Sequence, residues 1–482
     1  MLLSPAKEET VIQSKLICLK SQLNSEKIDS IENIKRTLIS IPKNSEKSTV
    51  IKIRDILWHS GINLFKDSKY EKALEIYIMC LEFCLNQTHK DKLLRNIATC
   101  YLARGEVDAA KESLTQVKEE CPLMSVLLFQ VALFKEDEVK ATELVEHITD
   151  EALLQTAAIL AFKANSEIIA TKTLHRAILI SADPVFKLVA IRCLLRLSKS
   201  PQQDLNLYQM LEDIGEMSTP EITYFADSAW NSGLKAKPEY ELMIKLLKQC
   251  LKITAKIHVP NNLQYIDRNR NCCVLIVAAF LQLASSQEEK EDDHLKSAME
   301  YLSQFKSFGE ANLDSTTTLI LILYELECAV RLNMPNITSL IEIISAVDQV
   351  PLSTINRAVE ICMSSKHTLA TQTALRIAIE YHIGAPEPQW SHISKLFINI
   401  AKISPNIMQI FKSWSQYVDK FPEDEAAWMV CEAWNQGIRN ENKGISQEMC
   451  TMALKISKNL PNYRGVYGKH MSQILDLGLG EC

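Results

Sequence analysis

A short phrase recurs along this chain: an aromatic or basic residue, a polar amide or imidazole, any residue, then Gly or Ala. It appears as Trp58-His59-Ser60-Gly61, Arg95-Asn96-Ile97-Ala98, Trp230-Asn231-Ser232-Gly233 and Trp434-Asn435-Gln436-Gly437. In the first two copies a second small residue, Ala73 or Ala110, stands twelve positions after the Gly or Ala. Small side chains on two consecutive amphipathic helices let the backbones approach closely, so this spacing constrains the chain to helix pairs stacked in a row. A row of pairs offers an extended surface, which points toward binding other proteins and away from catalysis.

The spacing is the grammar of a tetratricopeptide (TPR) array. In Leu57–Gln87, Gly61 pairs with Ala73, and Leu64, Tyr70, Tyr77 and Cys80 fill the apolar positions around them. In Leu94–Pro122, Ala98 pairs with Ala110; Gly105 supplies the turn, and Pro122 suits the first turn of the next helix. The same register continues with Phe129 and Ala141, then Ala158 and Ala170. The steps from Gly61 to Ala98, Phe129 and Ala158 are 37, 31 and 29 residues, scattered around the ~34-residue TPR period. The expected fold is therefore all-α: a TPR-like solenoid of helix pairs, wound as a right-handed superhelix.

Beyond residue 185 the phrase fades while the helix-pair rhythm persists. The expected layout is an N-terminal helical cap or partly disordered segment over 1–50 and four recognisable repeats over 51–184. Divergent repeats follow over 185–383, a loop over 384–391 at Gly384-Ala385-Pro386-Glu387-Pro388, and C-terminal repeats with a cap over 392–482. Gln287–Asp293 reads as a solvated acidic loop, Cys272–Ala284 as a buried helix, and Asn462–Cys482 as a final helix with a Gly-containing tail.

Composition agrees with helices. Glycine is scarce, 12 of 482 residues, against a usual ~7%. Net charge is −6, from 53 Lys and Arg against 59 Asp and Glu, without a long basic stretch. Binding nucleic acid irrespective of sequence needs clustered cations that displace counterions, so direct nucleic-acid contact is not expected. The apolar run Cys272–Ala284 contains Gln282 and falls short of the ~20 residues needed to cross a bilayer, and the N-terminus lacks a signal-peptide layout. A soluble intracellular chain is expected, with no membrane partner. The 14 cysteines contain no C-x-x-C pair and no His cluster completes a zinc site. Cys80, Cys100, Cys193, Cys250, Cys328 and Cys362 fall on expected apolar faces and read as reduced core thiols.

Catalytic patterns are missing too. There is no G-x-S-x-G and no paired-glycine dinucleotide turn; Gly465-Val466-Tyr467-Gly468-Lys469 is too short for a phosphate loop and lacks the following Ser or Thr. The chain is expected to be no enzyme, with no cofactor, metal or small-molecule substrate. A rival of another class, an enzyme with a degenerate site inside a helical toroid, would need convergent acids or histidines lining one cavity.

The aromatic–amide pairs are the candidate partner-binding residues: Trp434 and Asn435, Trp230 and Asn231, Arg95 and Asn96. Counted from the small residue at helix position 8, each aromatic or Arg falls at position 5 and each amide at position 6. Trp at such a place is ordinary core material. Asn is a mediocre helix former whose amide needs partners if buried. It either ties adjacent repeats together or grips the backbone of a bound peptide, and both roles fit. A chaperone-tail clamp would need Lys and Asn at set groove positions. Trp58, Ile62, Arg95 and Asn96 stand there instead, which disfavours a co-chaperone adaptor.

In phrase and in order the chain resembles the meiotic TPR family called Zip-four or Spo-twenty-two in yeast and testis-expressed protein eleven in mammals. Leu57-Trp58-His59 through Tyr70-Glu71-Lys72-Ala73-Leu74 is similar to the family's first Leu-Trp-Asn repeat. Leu94-Arg95-Asn96-Ile97-Ala98-Thr99-Cys100-Tyr101-Leu102 is similar to the Arg-Asn-Met-Ala-Cys-Cys-Tyr-Leu run that follows. Phe225 through Ala229-Trp230-Asn231, Leu323-Tyr324-Glu325-Leu326-Glu327, and Ala427-Trp428-Met429-Val430 leading to Trp434-Asn435-Gln436-Gly437 resemble later phrases. The likeness runs from about residue 51 to 475.

The resemblance implies a nuclear, meiosis-specific scaffold on meiotic chromosomes. It would link recombination proteins of the ZMM group to central-element proteins of the synaptonemal complex, promoting crossovers and synapsis without catalysis of its own. The family's C-terminal aromatic–Asn pair, implicated in contacting central-element proteins, carries over to Trp434 and Asn435. Two departures bear on this. The chain is shorter than typical members, so an N-terminal portion and some partners are expected to be missing. His59 stands where the family usually has Asn, which puts an amide-specific role at that repeat in doubt. The alternative expectation is a TPR scaffold subunit of another assembly, an anaphase-promoting-complex-like subunit or a co-chaperone adaptor.

Overall fold

A computed structural model describes residues 5–24, 31–41, 46–256, 263–309, 313–365, 367–405, 407–440, 442–463, 465, 469 and 471–473. Among the described residues there are α-helices and two short 3-10 turns, and no strand. The chain is an all-α, TPR-like solenoid of helix pairs. It divides into two units, Met1–Gly215 and Glu216–Cys482.

In the first unit α1 (Pro5–Asn24) and α2 (Ile31–Ile39) precede five pairs. These are α3 (Lys47–Lys66) with α4 (Tyr70–Leu81), α5 (Gln87–Arg104) with α6 (Val107–Thr115), and α7 (Pro122–Phe134) with α8 (Glu138–His147). α9 (Glu151–Lys163) with α10 (Glu167–Ile180) and α11 (Pro184–Leu197) with α12 (Pro201–Met210) complete the unit. Leu16, Leu19 and Leu23 of α1 and Ile34 and Leu38 of α2 are buried in one cluster with Leu57, Ala73 and Tyr77 of the first pair.

Each of the first four pairs is built on one template. Its first helix ends in a residue held in the left-handed region: Ser68 (φ 59°), Gly105 (82°), Glu136 (55°) and Asn165 (55°). Each of these stands seven residues after its small or aromatic position-8 residue, Gly61, Ala98, Phe129 or Ala158. The next N–H turns back to a carbonyl in the last helical turn: Lys69 to Leu64 (2.9 Å), Glu106 to Tyr101 (2.9 Å), Asp137 to Ala132 (3.0 Å), Ser166 to Ala161 (3.2 Å). This six-to-one bond satisfies a carbonyl that the helix end leaves open. Five residues beyond the left-handed residue come Ala73, Ala110, Ala141 and Ala170, all fully buried. The contact is tightest at Gly61, where an added Cβ would fall onto the ring of Tyr77.

The second unit holds α13 (Thr219–Lys235) with α14 (Tyr240–Thr254), α15 (Leu263–Ser286) with α16 (Glu291–Ser307), and α17 (Ser315–Arg331) with α18 (Ile337–Ala346). α19 (Leu352–Met363) with α20 (Thr368–Ile383), α21 (Trp390–Ile403) with α22 (Ile407–Ser415), and α23 (Glu423–Arg439) with α24 (Lys443–Ser457) complete it. The turn between α17 and α18 repeats the template, with Asn333 at φ 54° and Met334 N–H donating to Ala329 at 2.8 Å. Gly233 and Gly437 keep the close approach seen at Gly61: an added Cβ would lie 2.9 Å from Leu247 Cδ2 and 2.8 Å from Cys450 Sγ respectively.

Several details differ from expectation. Gln287–Asp293 is not a solvated loop: Glu288–Lys290 is a 3-10 turn, and Glu291, Asp292 and Asp293 form the first turn of α16. Carboxylates are favoured there by the positive end of the helix dipole. Trp390 and Ser391, expected in a loop over 384–391, already belong to α21; Trp390 stacks on Tyr417 at 5.6 Å and takes Lys420 over its face. The run Cys272–Ala284, by contrast, lies within α15 as the buried helix expected, with Cys272 and Cys273 fully buried. Most of the expected final helix and tail over 462–482 lies outside the described residues. Among the described residues no helix is long and apolar enough to cross a membrane.

Candidate partner-binding site

Four first helices, α3, α5, α13 and α23, carry the repeated phrase, and helix geometry decides what each member can do. Consecutive residues are turned ~100° apart around the axis. Positions 5 and 6 therefore face different sides, and in these four helices position 5 is the more buried of the two. In α23, Trp434 is 5% exposed and belongs to the core cluster with Ala426, Val430, Met449 and Cys450. Asn435, the next residue, is exposed. In α13, Trp230 is half-buried and Asn231 is exposed. Neither Asn231 nor Asn435 makes a side-chain hydrogen bond among the described residues. Both amides are thus open to a partner, and neither ties repeats together within this chain.

The second copy is built differently. Arg95, where the others have Trp, is 7% exposed, and its Nη1 has no hydrogen-bond partner. One turn earlier Asp91 is 1% exposed. Asp91 accepts from Gln87 Nε2 at 2.6 Å and from Glu119 N–H at 3.0 Å, pinning the segment before α7 to α5. Burial pushes the Asp91 carboxyl up, but the bonds from Gln87 and from the Lys118 and Glu119 backbones, with the charge of Arg95, hold it below its ordinary value. Arg95 is thus an inner residue of this repeat, and of the pair only Asn96, half-buried, reaches the surface. Trp58 is half-buried and His59 exposed, so the first copy keeps the same division between inner and outer residue.

Each copy of the phrase sits in its own repeat. Asn96 sits on α5 in the first unit; Asn231 and Asn435 sit on α13 and α23 in the second, where α13 packs chiefly on α14 and α23 on α21, α22 and α24. What surrounds Asn435 is a stripe on its own helix. Trp428, two turns before it, is half-buried with Lys402 Nζ of α21 lying 5.4 Å from its ring centroid, and Ile438, one turn after, is 37% exposed. An amide flanked by an aromatic edge and an aliphatic side chain can donate and accept with a peptide backbone while burying apolar surface on either side.

Other side chains stand out by their surroundings. An indentation between α10, α11 and α12 gathers Glu167, Lys172, His175 and Lys199; Glu167 is spent on Lys199 at 2.8 Å, and burial lowers the His175 pKa. Cys80, Cys100, Cys328 and Cys362 are fully buried with their thiols pushed up to about 12 by burial, whereas Cys193, expected with them, is half-buried. Sequence reasoning overlooked exposed apolar residues on the first helices α7, α9 and α11. The signal was available: Ile159 and Val189 fall out of phase with the buried positions of their own helices.

These features define a helical-pair repeat protein of TPR type whose outward amides are free to bind. No family model matches the chain. Solved structures similar to it include the C-terminal part of a TPR repeat-containing protein from Cytophaga hutchinsonii, at 12% identity over 55% of this chain and 98% of that chain with a TM-score of 0.27. The Naa15/Naa10 assembly bound to HypK-THB is 9% identical over 89% of this chain and 68% of that chain, TM-score 0.30. The TPR domain of P58(IPK) is 12% identical over 73% of this chain and 98% of that chain, TM-score 0.20.

Proposed function

We propose that the chain is a non-catalytic scaffold of meiotic prophase, a member of the meiotic TPR family that its ordered phrases resemble. It acts in the nucleus on meiotic chromosomes, linking ZMM recombination proteins to central-element proteins of the synaptonemal complex and so promoting crossovers and synapsis. The observation that supports this most directly is Asn435, an exposed amide without a partner, set on a helix that its buried neighbour Trp434 locks in place. It is the residue onto which the family's C-terminal contact carries over.

The test is a tagged purification from meiotic gonad tissue, with mass spectrometry of what accompanies wild type and Asn435→Asp. A carboxylate keeps the size of the amide but cannot donate a hydrogen bond. Synaptonemal-complex and crossover proteins are expected with wild type and depleted with the variant. Equal recovery with a folded variant would discard the site, and recovery of cell-cycle or chaperone complexes would discard the meiotic reading.

A further inference from the structure

Lysine ammoniums lie over aromatic rings at several places in the second unit, and one of them is unlike the others. Lys402 and Lys420 each face a single indole, that of Trp428 and of Trp390. Lys248 of α14 stands between two rings: its Nζ is 5.4 Å from the centroid of Phe280 on α15 and 5.2 Å from that of Tyr301 on α16. Both distances fall inside the ~6 Å reach of a cation–π contact. The two rings lie 6.2 Å apart and are tilted by 30°, and the His294 ring, 6.0 Å from Phe280, extends the aromatic wall. Lys248, Tyr301 and His294 stand on second helices, so this cage is separate from the first-helix positions that carry Asn231 and Asn435.

The present occupant is poorly served by the cage. An ammonium is a compact, strongly hydrated charge with three donors. Lys248 is half-buried, yet it makes no hydrogen bond and no ion pair among the described residues. Burial pushes its pKa down, Glu300 opposes that shift, and Lys252 adds to it. Ring faces alone therefore hold a cation that has given up part of its water. A methylated ammonium keeps the charge and has fewer or no N–H groups to leave unpaired, and aromatic cages recognise cations of that kind. Phe280 and Tyr301 suit such a cation better than the one they hold.

We propose that Phe280 and Tyr301 form a binding site for a methylated ammonium carried on a lysine of a partner protein, with Lys248 as the chain's own stopper in it. Lys248 can leave cheaply, because its flexible stem lets the ammonium swing to solvent and recover its water. Glu300 stays beside the vacated rings and favours a second cation there. The cage shares no residue with the Asn435 surface and does not depend on which assembly the scaffold joins, so each can fail alone.

The test uses the full chain and a labelled, otherwise uncharged peptide with one central lysine in three forms: trimethylated, unmodified, and with a tert-butyl group in place of the trimethylammonium. Fluorescence anisotropy is expected to show the trimethylated form binding about fivefold or more tightly than either of the others. Lys248→Ala is expected to bind it about threefold more tightly than wild type, since apparent affinity scales with the fraction of sites that stand open. Misfolding does not produce such a gain. Tyr301→Phe, which keeps the ring face, is expected to match wild type, and Tyr301→Leu to lose about fivefold or more. Equal affinity for the trimethylated and tert-butyl forms, failure of Lys248→Ala to bind, or the absence of a gain in that variant would overturn the cage. Choline that displaces the peptide at equal concentration would overturn the partner lysine as the source of the cation.

Discussion

Two neighbouring residues, Trp434 and Asn435, can be altered with opposite consequences. Removing the indole of Trp434 empties a packed site between α23 and α24, and Trp434→Ala is expected to cost about 3–5 kcal/mol of unfolding free energy. Asn435→Asp, on the exposed side of the same helix, is expected to stay within about 0.5 kcal/mol. Urea denaturation of both variants separates the two; a similar loss for both would mean that Asn435 is structural. Gly61 offers a sharper test of packing. Alanine is the better helix former by about 1 kcal/mol, but its methyl would meet the ring of Tyr77, itself 2% exposed. Overpacking of about 1–3 kcal/mol should win, so Gly61→Ala is expected to lower the melting temperature. The sequence alone reads the Trp as ordinary core material but leaves the Asn between tying repeats together and gripping a partner. Only the phase of each helix relative to its neighbours separates an inward position from an outward one.

At the scale of the helix pair, the register of small residues was legible from the spacing of Gly61 with Ala73 and Ala98 with Ala110. The left-handed residue that closes each first helix was legible only at Gly105. Ser68 and Glu136 hold the same conformation without a glycine to mark it, because the returning hydrogen bond and the packed pair hold the turn closed. Asn165 and Asn333 belong to the type that tolerates this region best after glycine. Gly105 permits a clean measurement, since an added Cβ there meets nothing within 4 Å and only the φ of 82° opposes it. Gly105→Ala should therefore cost about 1–2 kcal/mol in equilibrium denaturation, and a neutral result would show that the turn relaxes. The acidic start of α16 was misread for the opposite reason: a charge run looks solvated in isolation, and its attraction to a helix N-terminus appears only once the helix is placed.

Across the whole chain, stability should fall between neutral and mildly acidic pH. Burial, reinforced by the His392 ring 4.6 Å away, lowers the pKa of His382 on α20, whose Nε2 lies 2.8 Å from Asn356 Oδ1. Burial alone lowers that of His175. A histidine that is harder to protonate folded than unfolded binds fewer protons in the native state. Its contribution is whole above the unfolded value of about 6.5 and drains away as the pH falls through that value toward the folded one. Thermal melts at pH 7.5 and 5.5 are expected to differ in that direction, and His382→Gln, which keeps a donor toward Asn356, should narrow the gap. An unchanged gap in this variant would place the pH sensitivity elsewhere.

The first four pairs hold a constant seven residues from the position-8 residue to the left-handed turn and five more to the buried alanine, although their repeats differ in length. The difference is absorbed by the second helices, whose lengths are 12, 9, 10 and 14 residues, and by the segments that follow them. Each pair thus works as a fixed gauge joined by adjustable spacers. Insertions and deletions in the spacers can accumulate over evolution without resetting a single contact inside the gauge. Such a lineage would drift out of any fixed period while its fold stayed intact, and its kinship would be traced better by distances within pairs than by distances between them.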